Sequence, residues 1–247
     1  MHRMGTLLLW SGLVFSAWRG CTCQANAAEP ERTQLVGATM DAWRPPHGEW
    51  QVVGDVRPGG VEDRFLVATP GAGAMVNGET GRTSNLLSQA EHGDVEAHIE
   101  FMVPQGSNSG VYFQGRYEVQ ILDSWGVEAV KYGDCGGIYC RWKDGRGFDG
   151  HPPRVNASRR PGQWQSFDVV FRAPRFDDEG KKVENGRFVR VIHNGVVIHE
   201  NVEVTGPTRA AAFSDEKPVG PLMLQGDHGP VAYRNIWIKP IGNDQSP

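Results

Sequence analysis

The chain has no apolar run long enough to cross a membrane as a helix, which takes roughly 20 residues. Its longest, from Leu7 to Trp18, stops short of that. It has no surplus of basic residues either: 25 Lys and Arg stand against 29 Asp and Glu, a net charge of -4. A broad cationic surface for nucleic acid is therefore not expected. There are only 4 cysteines, with no C-x-x-C spacing and no accompanying histidine pair, which argues against a zinc cluster. No segment sustains the 3.6-residue period of an amphipathic helix. What is abundant is glycine (32) and proline (16), on a background of 39% hydrophobic residues, the balance of a turn-rich β protein. A chain of 247 residues suffices for one generous all-β domain.

The first residues read separately. A basic start at His2 and Arg3, an apolar stretch to Trp18 and the small-x-small "ANA" at 25–27 predict an export signal over 1–27, cleaved after Ala27. The mature protein is then periplasmic or secreted. A lipid anchor at Cys21 is the alternative, although Trp18-Arg19-Gly20 makes a poor lipobox. A polar linker follows over 28–38, and a single domain over 39–241. Cleavage leaves Cys135 and Cys140. In an extended strand their Cα atoms stand roughly 16 Å apart, beyond the disulfide limit of about 7 Å. Without a turn at Gly136-Gly137, two buried thiols are expected.

Between turn signals lie short segments rich in Val, Ile, Phe and Tyr, among them "DVEAHIEFMV", "GVYFQ", "YEVQILD", "QSFDVVFRA" and "GPLMLQGDHG". Their lengths and composition predict strands, hence an all-β, two-sheet antiparallel sandwich. Asn194-Gly195, between "RVIH" and "VVIH", predicts a type I′ hairpin with Val189 and Val191 facing Val196 and Ile198. The stretch 144–162 lacks strand character and reads as a long functional or mobile loop.

Strand alternation divides the side chains of 108–126 into two sets. Val111, Phe113, Val119 and Ile121 point one way; Tyr112, Gln114, Glu118 and Gln120 point the other. "GGIYC" sets Ile138 against Tyr139, and "PLMLQ" sets Leu222 and Leu224 against Met223 and Gln225. A solvated outer sheet face is the plain explanation. Such a face favours Lys, Thr, Arg and Ser, however. Amides, a carboxylate and tyrosines beside glycine-rich turns suit a hydroxyl-rich ligand better.

The motifs "NSGVYFQGRYEVQILDSWG", "DCGGIY", "PGQWQSFDVVFRAPRFDDEGK", "VIHNGVVIHENVEVTGPT" and "GPLMLQGDHGPVAYRNIWIKP" resemble, in order, the 3-keto-disaccharide hydrolase domain family. The resemblance spans roughly residues 40 to 241. It implies the concanavalin A-like lectin/glucanase sandwich (a jelly roll) and cleavage of glycosides whose sugar is oxidised at C3. A ketone at C3 acidifies the C2 proton, so a base can remove it and expel the C1 substituent; water then adds. Direct hydrolysis is the other route. Either needs a base within reach of its proton and a stabiliser for developing charge.

Glu118 is the first candidate, as base or metal ligand, and His228 the second, as base, proton donor or ligand. Gln120, not a second acid, follows Glu118, so the paired carboxylates of ordinary retaining glycosidases, about 5–5.5 Å apart, are missing. Asp123 is the nearest other acid, read as catalytic or as a turn residue bonding its own backbone. Asn108, Tyr112, Gln114, Arg116, Gln120, Tyr139 and Gln225 are the candidate substrate contacts, with Arg116 also readable as a turn arginine. Glu118, Gln120 and His228 are the candidate set for a divalent Ca, Mn or Zn ion. His151 and Trp125 are open between site and scaffold. A carbohydrate is the expected partner. A lectin-like module that binds without cleaving is the alternative, because this fold hosts both roles.

Overall fold

A computed structural model describes residues 1, 31–60 and 64–242. The export signal, with Cys21 and Cys23, lies outside these residues. The described residues are all strand, turn and loop. In order come β1 (Thr33–Gln34), β2 (Gln51–Gly59), β3 (Phe65–Val76), β4 (Leu86–His92) and β5 (Val95–Met102). There follow β6 (Asn108–Phe113), β7 (Tyr117–Leu122), β8 (Arg141–Lys143), β9 (Arg146–Phe148), β10 (Gln165–Arg172) and β11 (Arg175–Phe176). The last are β12 (Lys182–Glu184), β13 (Gly186–His193), β14 (Val196–Val204), β15 (Gly220–Leu224) and β16 (Ala232–Pro240). The large sheet runs β14-β13-β10-β5-β16-β3-β2, with β1 on β16; the small one runs β4-β15-β6-β7. The paired strands are antiparallel, and the two sheets form the expected sandwich.

The two sheets share one core. In β5, Val95, Ala97, Ile99 and Phe101 are buried on alternate positions; in β10, Phe167, Val169 and Phe171 are. Val111 and Phe113 of β6 and Val119 and Ile121 of β7 meet them from the small sheet. The Phe113 ring lies 5.4 Å from those of both Phe171 and Phe188, and Tyr117 lies 5.4 Å from Phe171. Each such ring contributes about 1.5–3 kcal/mol by leaving water.

The Asn194-Gly195 turn has φ of 51° and 83°, the left-handed pair that a type I′ hairpin requires. The facing valines differ from expectation. Val170 pairs with Arg190 and Phe171 with Phe188, so Val189 is the extra residue of a bulge on β13. That bulge resets the alternation on β13, so Val191 enters the core; on β14 a second bulge leaves Ile198 as the extra residue, which also enters the core, while Val196 stays 44% exposed. The stretch 144–162 is also not all loop. Asp144-Gly145 (φ 51° and 79°) closes a second tight hairpin, β8–β9. Cys135 and Cys140 are free, buried thiols.

Candidate functional site

The small sheet is unusual in being buried on both faces. Every residue of β15, and all but one terminal residue each of β6 and β7, is buried. The face turned from the core is covered at its edge by two irregular segments. Residues 136–139 run along β7, with Gly136 N–H donating to Gln120 O (2.8 Å) and Tyr139 N–H to Glu118 O (3.1 Å). Thr208 holds the second: its hydroxyl donates to Arg116 O (3.0 Å) and accepts from Glu118 N–H (3.2 Å). Arg209 N–H then donates to Cys140 O (2.8 Å).

These covers leave a cavity of about 290 Å³, lined by Asn108, Tyr112, Glu118, Gln120, Tyr139, Gln225 and His228 together with Arg209 and Ala210. Strand pairing puts Tyr112 opposite Glu118 and Gly110 opposite Gln120. The Glu118 carboxylate lies across Gly110, where a Cβ would come within 2.2 Å of Oε1. Glycine is required here for space. Gln225 joins through its N–H to Gly110 O (2.9 Å), extending the pairing of β15 with β6 by one residue.

Glu118 is only 2% exposed. Burial pushes its carboxyl up to about 8; a hydrogen bond from Tyr112 works the other way, and the Asp227 charge adds to the rise. A carboxyl poised near neutrality can take or give a proton at working pH. Burial, reinforced by Glu118, holds the Tyr112 hydroxyl protonated far above the ordinary range, so it stays a hydrogen-bond donor. Gln120 and Gln225 are 4% and 6% exposed, yet Oε1 of each has no hydrogen-bond partner. Gln120 anchors its amide nitrogen on Gly133 O (3.3 Å), and its side chain lines the cavity. Unpaired buried acceptors are costly; donors from a ligand, such as hydroxyl groups, would satisfy both. His228 sits exposed at the rim with Nδ1 2.5 Å from Asp227 Oδ1, leaving Nε2 for a ligand.

Three expected residues lie elsewhere. Gln114 is not a strand residue: with Gly115 it forms a left-handed turn (φ 55° and 65°), and its amide donates to His92 O and Pro218 O. Arg116 turns back to bond Asp215 and Gln114 O, and its guanidinium stacks 4.7 Å from the Phe213 ring. Asp123 caps a turn, accepting from Gly106 N–H (2.9 Å) and Trp125 N–H (3.4 Å). His151 is held by backbone pairing to Ile138, and Trp125 is 52% exposed beneath Arg160. Arg209 and Ala210 went unnoticed in the sequence, because a loop far along the chain, without strand pattern, carries them.

The proposed metal set fits poorly. Among the described residues, no group of three or more His, Cys, Asp or Glu is placed to hold a metal ion. One buried carboxylate, one amide oxygen and one rim imidazole supply a single His, where catalytic zinc sites use two or three His or Cys ligands.

A polar, tyrosine-lined hollow on one sheet of a β-sandwich, with a buried carboxyl at its floor, belongs to the class of carbohydrate-active domains. The family model of the 3-keto-alpha-glucoside-1,2-lyase-like domain matches residues 31–239, and the chain belongs to that family. A structure from Parabacteroides distasonis ATCC 8503, provisionally named a glycosyl hydrolase, is similar at 28% identity and TM-score 0.62. The likeness covers 85% of this chain and 84% of that one. A second structure from the same organism, with the same provisional name, shares the fold at 18% identity and TM-score 0.56, over 85% of this chain and all (100%) of the other. No curated protein matches the chain.

Proposed function

We propose that this protein cleaves 3-keto-glycosides, with Glu118 as the proton-transferring group. The observation that carries the reading is a fully buried carboxyl, raised to about 8, at the floor of a cavity lined by two glutamines whose amide oxygens lack partners. The family to which the chain belongs supports the substrate class.

Glu118 in its carboxylate form takes the C2 proton made acidic by the C3 ketone. The C2–H electrons form the C1=C2 bond as the C1–O bond breaks, and the leaving oxygen is protonated from the rim, where the Asp227–His228 pair sits. The Arg209 guanidinium and the tyrosine hydroxyls face the charge that develops on the C3 oxygen. Addition of water across C1=C2 returns a proton to C2 and places hydroxyl on C1, so the net change is hydrolysis. Gln120 and Gln225 fix the sugar by accepting from its hydroxyls.

The test is purified protein with a 3-keto-disaccharide and with its unoxidised parent. Free sugar is expected only from the former, and Glu118→Gln should lower the rate by about 10²–10⁴-fold while leaving the fold intact. Release that persists in Glu118→Gln would remove it from the reaction. Binding without release, unchanged by the substitution, would favour a lectin-like module instead.

A further inference from the structure

A second hollow adjoins the Glu118 cavity. It measures about 490 Å³ and shares Arg209 and Ala210 with it. Its walls are the β8–β9 hairpin and residues 207–214. The rings of Trp142, Phe148 and Phe213 line it, and so do the cations Arg141, Lys143 and Arg209; no lining residue is acidic. This in a chain of net charge -4 is a local reversal. Trp142 is 47% exposed, with the Arg209 guanidinium 3.9 Å from its ring centre. Arg141 stacks 5.0 Å from Phe148 and is partly neutralised by Asp149 at 3.7 Å. Lys143 and Arg209 have no carboxylate partner among the described residues.

An exposed tryptophan on a one-strand-pair hairpin contributes little to the core, whereas flat rings beside unpaired cations match a planar group bearing a negative charge. Because Arg209 belongs to both hollows, one ligand can occupy the two at once. We propose that this groove is a second subsite that holds the leaving-group half of the substrate and selects one carrying a carboxylate on a planar framework. The proposal rests on the reading of the Glu118 cavity as the place of glycoside cleavage, but its binding component is measurable without turnover.

The first experiment is an NMR titration of the full protein with 4-hydroxybenzoate and with neutral 4-hydroxybenzyl alcohol. The acid should bind at least about threefold more tightly, the preference should shrink as salt rises from ~0.05 to ~0.5 M, and Lys143→Gln should remove most of it. Trp142→Ala should weaken both ligands, and Glu118→Gln neither. Equal binding of acid and alcohol, or a preference indifferent to Lys143→Gln, overturns the proposal. The second experiment compares 3-keto-glucosides of the same two phenols. Lys143→Gln should raise KM for the acidic one about threefold with kcat unchanged. If neither glycoside is cleaved yet the acid still binds in a Lys143-dependent manner, the subsite stands and the cleavage reading falls. Cleavage of both with equal KM does the reverse.

Discussion

The outer faces of the two sheets treat polar side chains in opposite ways. On the large sheet they are at least partly exposed and paired: Arg187 with Glu203 at 2.9 Å, Glu200 with Arg154 of a neighbouring loop, Arg234 with Glu100 at 2.6 Å, and His98 with Asp168 at 2.6 Å. On the small sheet they are buried and left short of partners, with Glu118 uncharged near neutrality and two glutamine oxygens unbonded. Paired and wet polar groups contribute little individually and can be exchanged. Buried and unpaired ones destabilise the free protein, a cost that a ligand removes. The contrast singles out the small sheet as the candidate site without reference to any relative.

The sharpest way to break the contrast is Gly110→Ala. The new Cβ would collide with Glu118 Oε1 and displace the carboxylate, so turnover should fall about 10²-fold or more. Thermal unfolding should still be cooperative. Activity surviving within a few-fold would show that the carboxylate position over Gly110 does not matter.

The next largest effect is on stability as a function of pH. A Glu118 value of about 8 lies above the ordinary carboxylate value of 4.5, so the folded chain holds a proton that the unfolded chain releases between those pH values. Stability should therefore decline through this group as pH rises toward 8. Glu118→Gln, neutral throughout, should melt higher than the parent by about 5 °C at pH 8 and by almost nothing at pH 4.5. Three buried histidines act with the opposite sense. Burial lowers His92 to about 4, His193 to about 3 and His199 to about 4. Below 6.5 the unfolded chain takes protons that the folded chain refuses, so stability is lost as pH falls from 6.5 toward 4. Melting curves should peak between about pH 6 and 7; a peak near pH 4 would contradict the histidine assignments, and one near pH 9 the Glu118 assignment.

The smallest effect sharpens the other side of the comparison. Arg187→Ala on the large sheet, whose pair is 39% and 47% exposed, should cost only about 0.2–1 kcal/mol and leave turnover unchanged. A loss of activity there would mean that the two faces are not as separate as they look.

Legibility in the sequence followed the reach of local rules. Period-two alternation separated Val119 and Ile121 from Glu118 and Gln120, and Val111 from Tyr112, because side-chain direction in a strand depends only on position. The same rule failed for Gln114 and Val189 for one reason: each sits where the chain leaves the regular ladder, at a turn and at a bulge. Asp123 failed likewise, since β7 ends at Leu122. The β8–β9 hairpin was missed because strands of three residues give too little pattern, although Asp144-Gly145 is a strong turn signal.

Amino-acid order alone set the all-β class, the Asn-Gly turn and the two-faced strands, since each arises from backbone geometry within a few residues. It could not say that residues 136–139 and 207–210 would roof the polar face, nor that Gly110 would be the floor on which the Glu118 carboxylate rests. The roof depends on contacts between segments some 16 to 92 residues apart, and only when they close does water leave. Burial then raises the Glu118 carboxyl, and Gln120 and Gln225 are left without partners. An ordinary sheet surface becomes a site through desolvation, and desolvation is a property of the assembled fold.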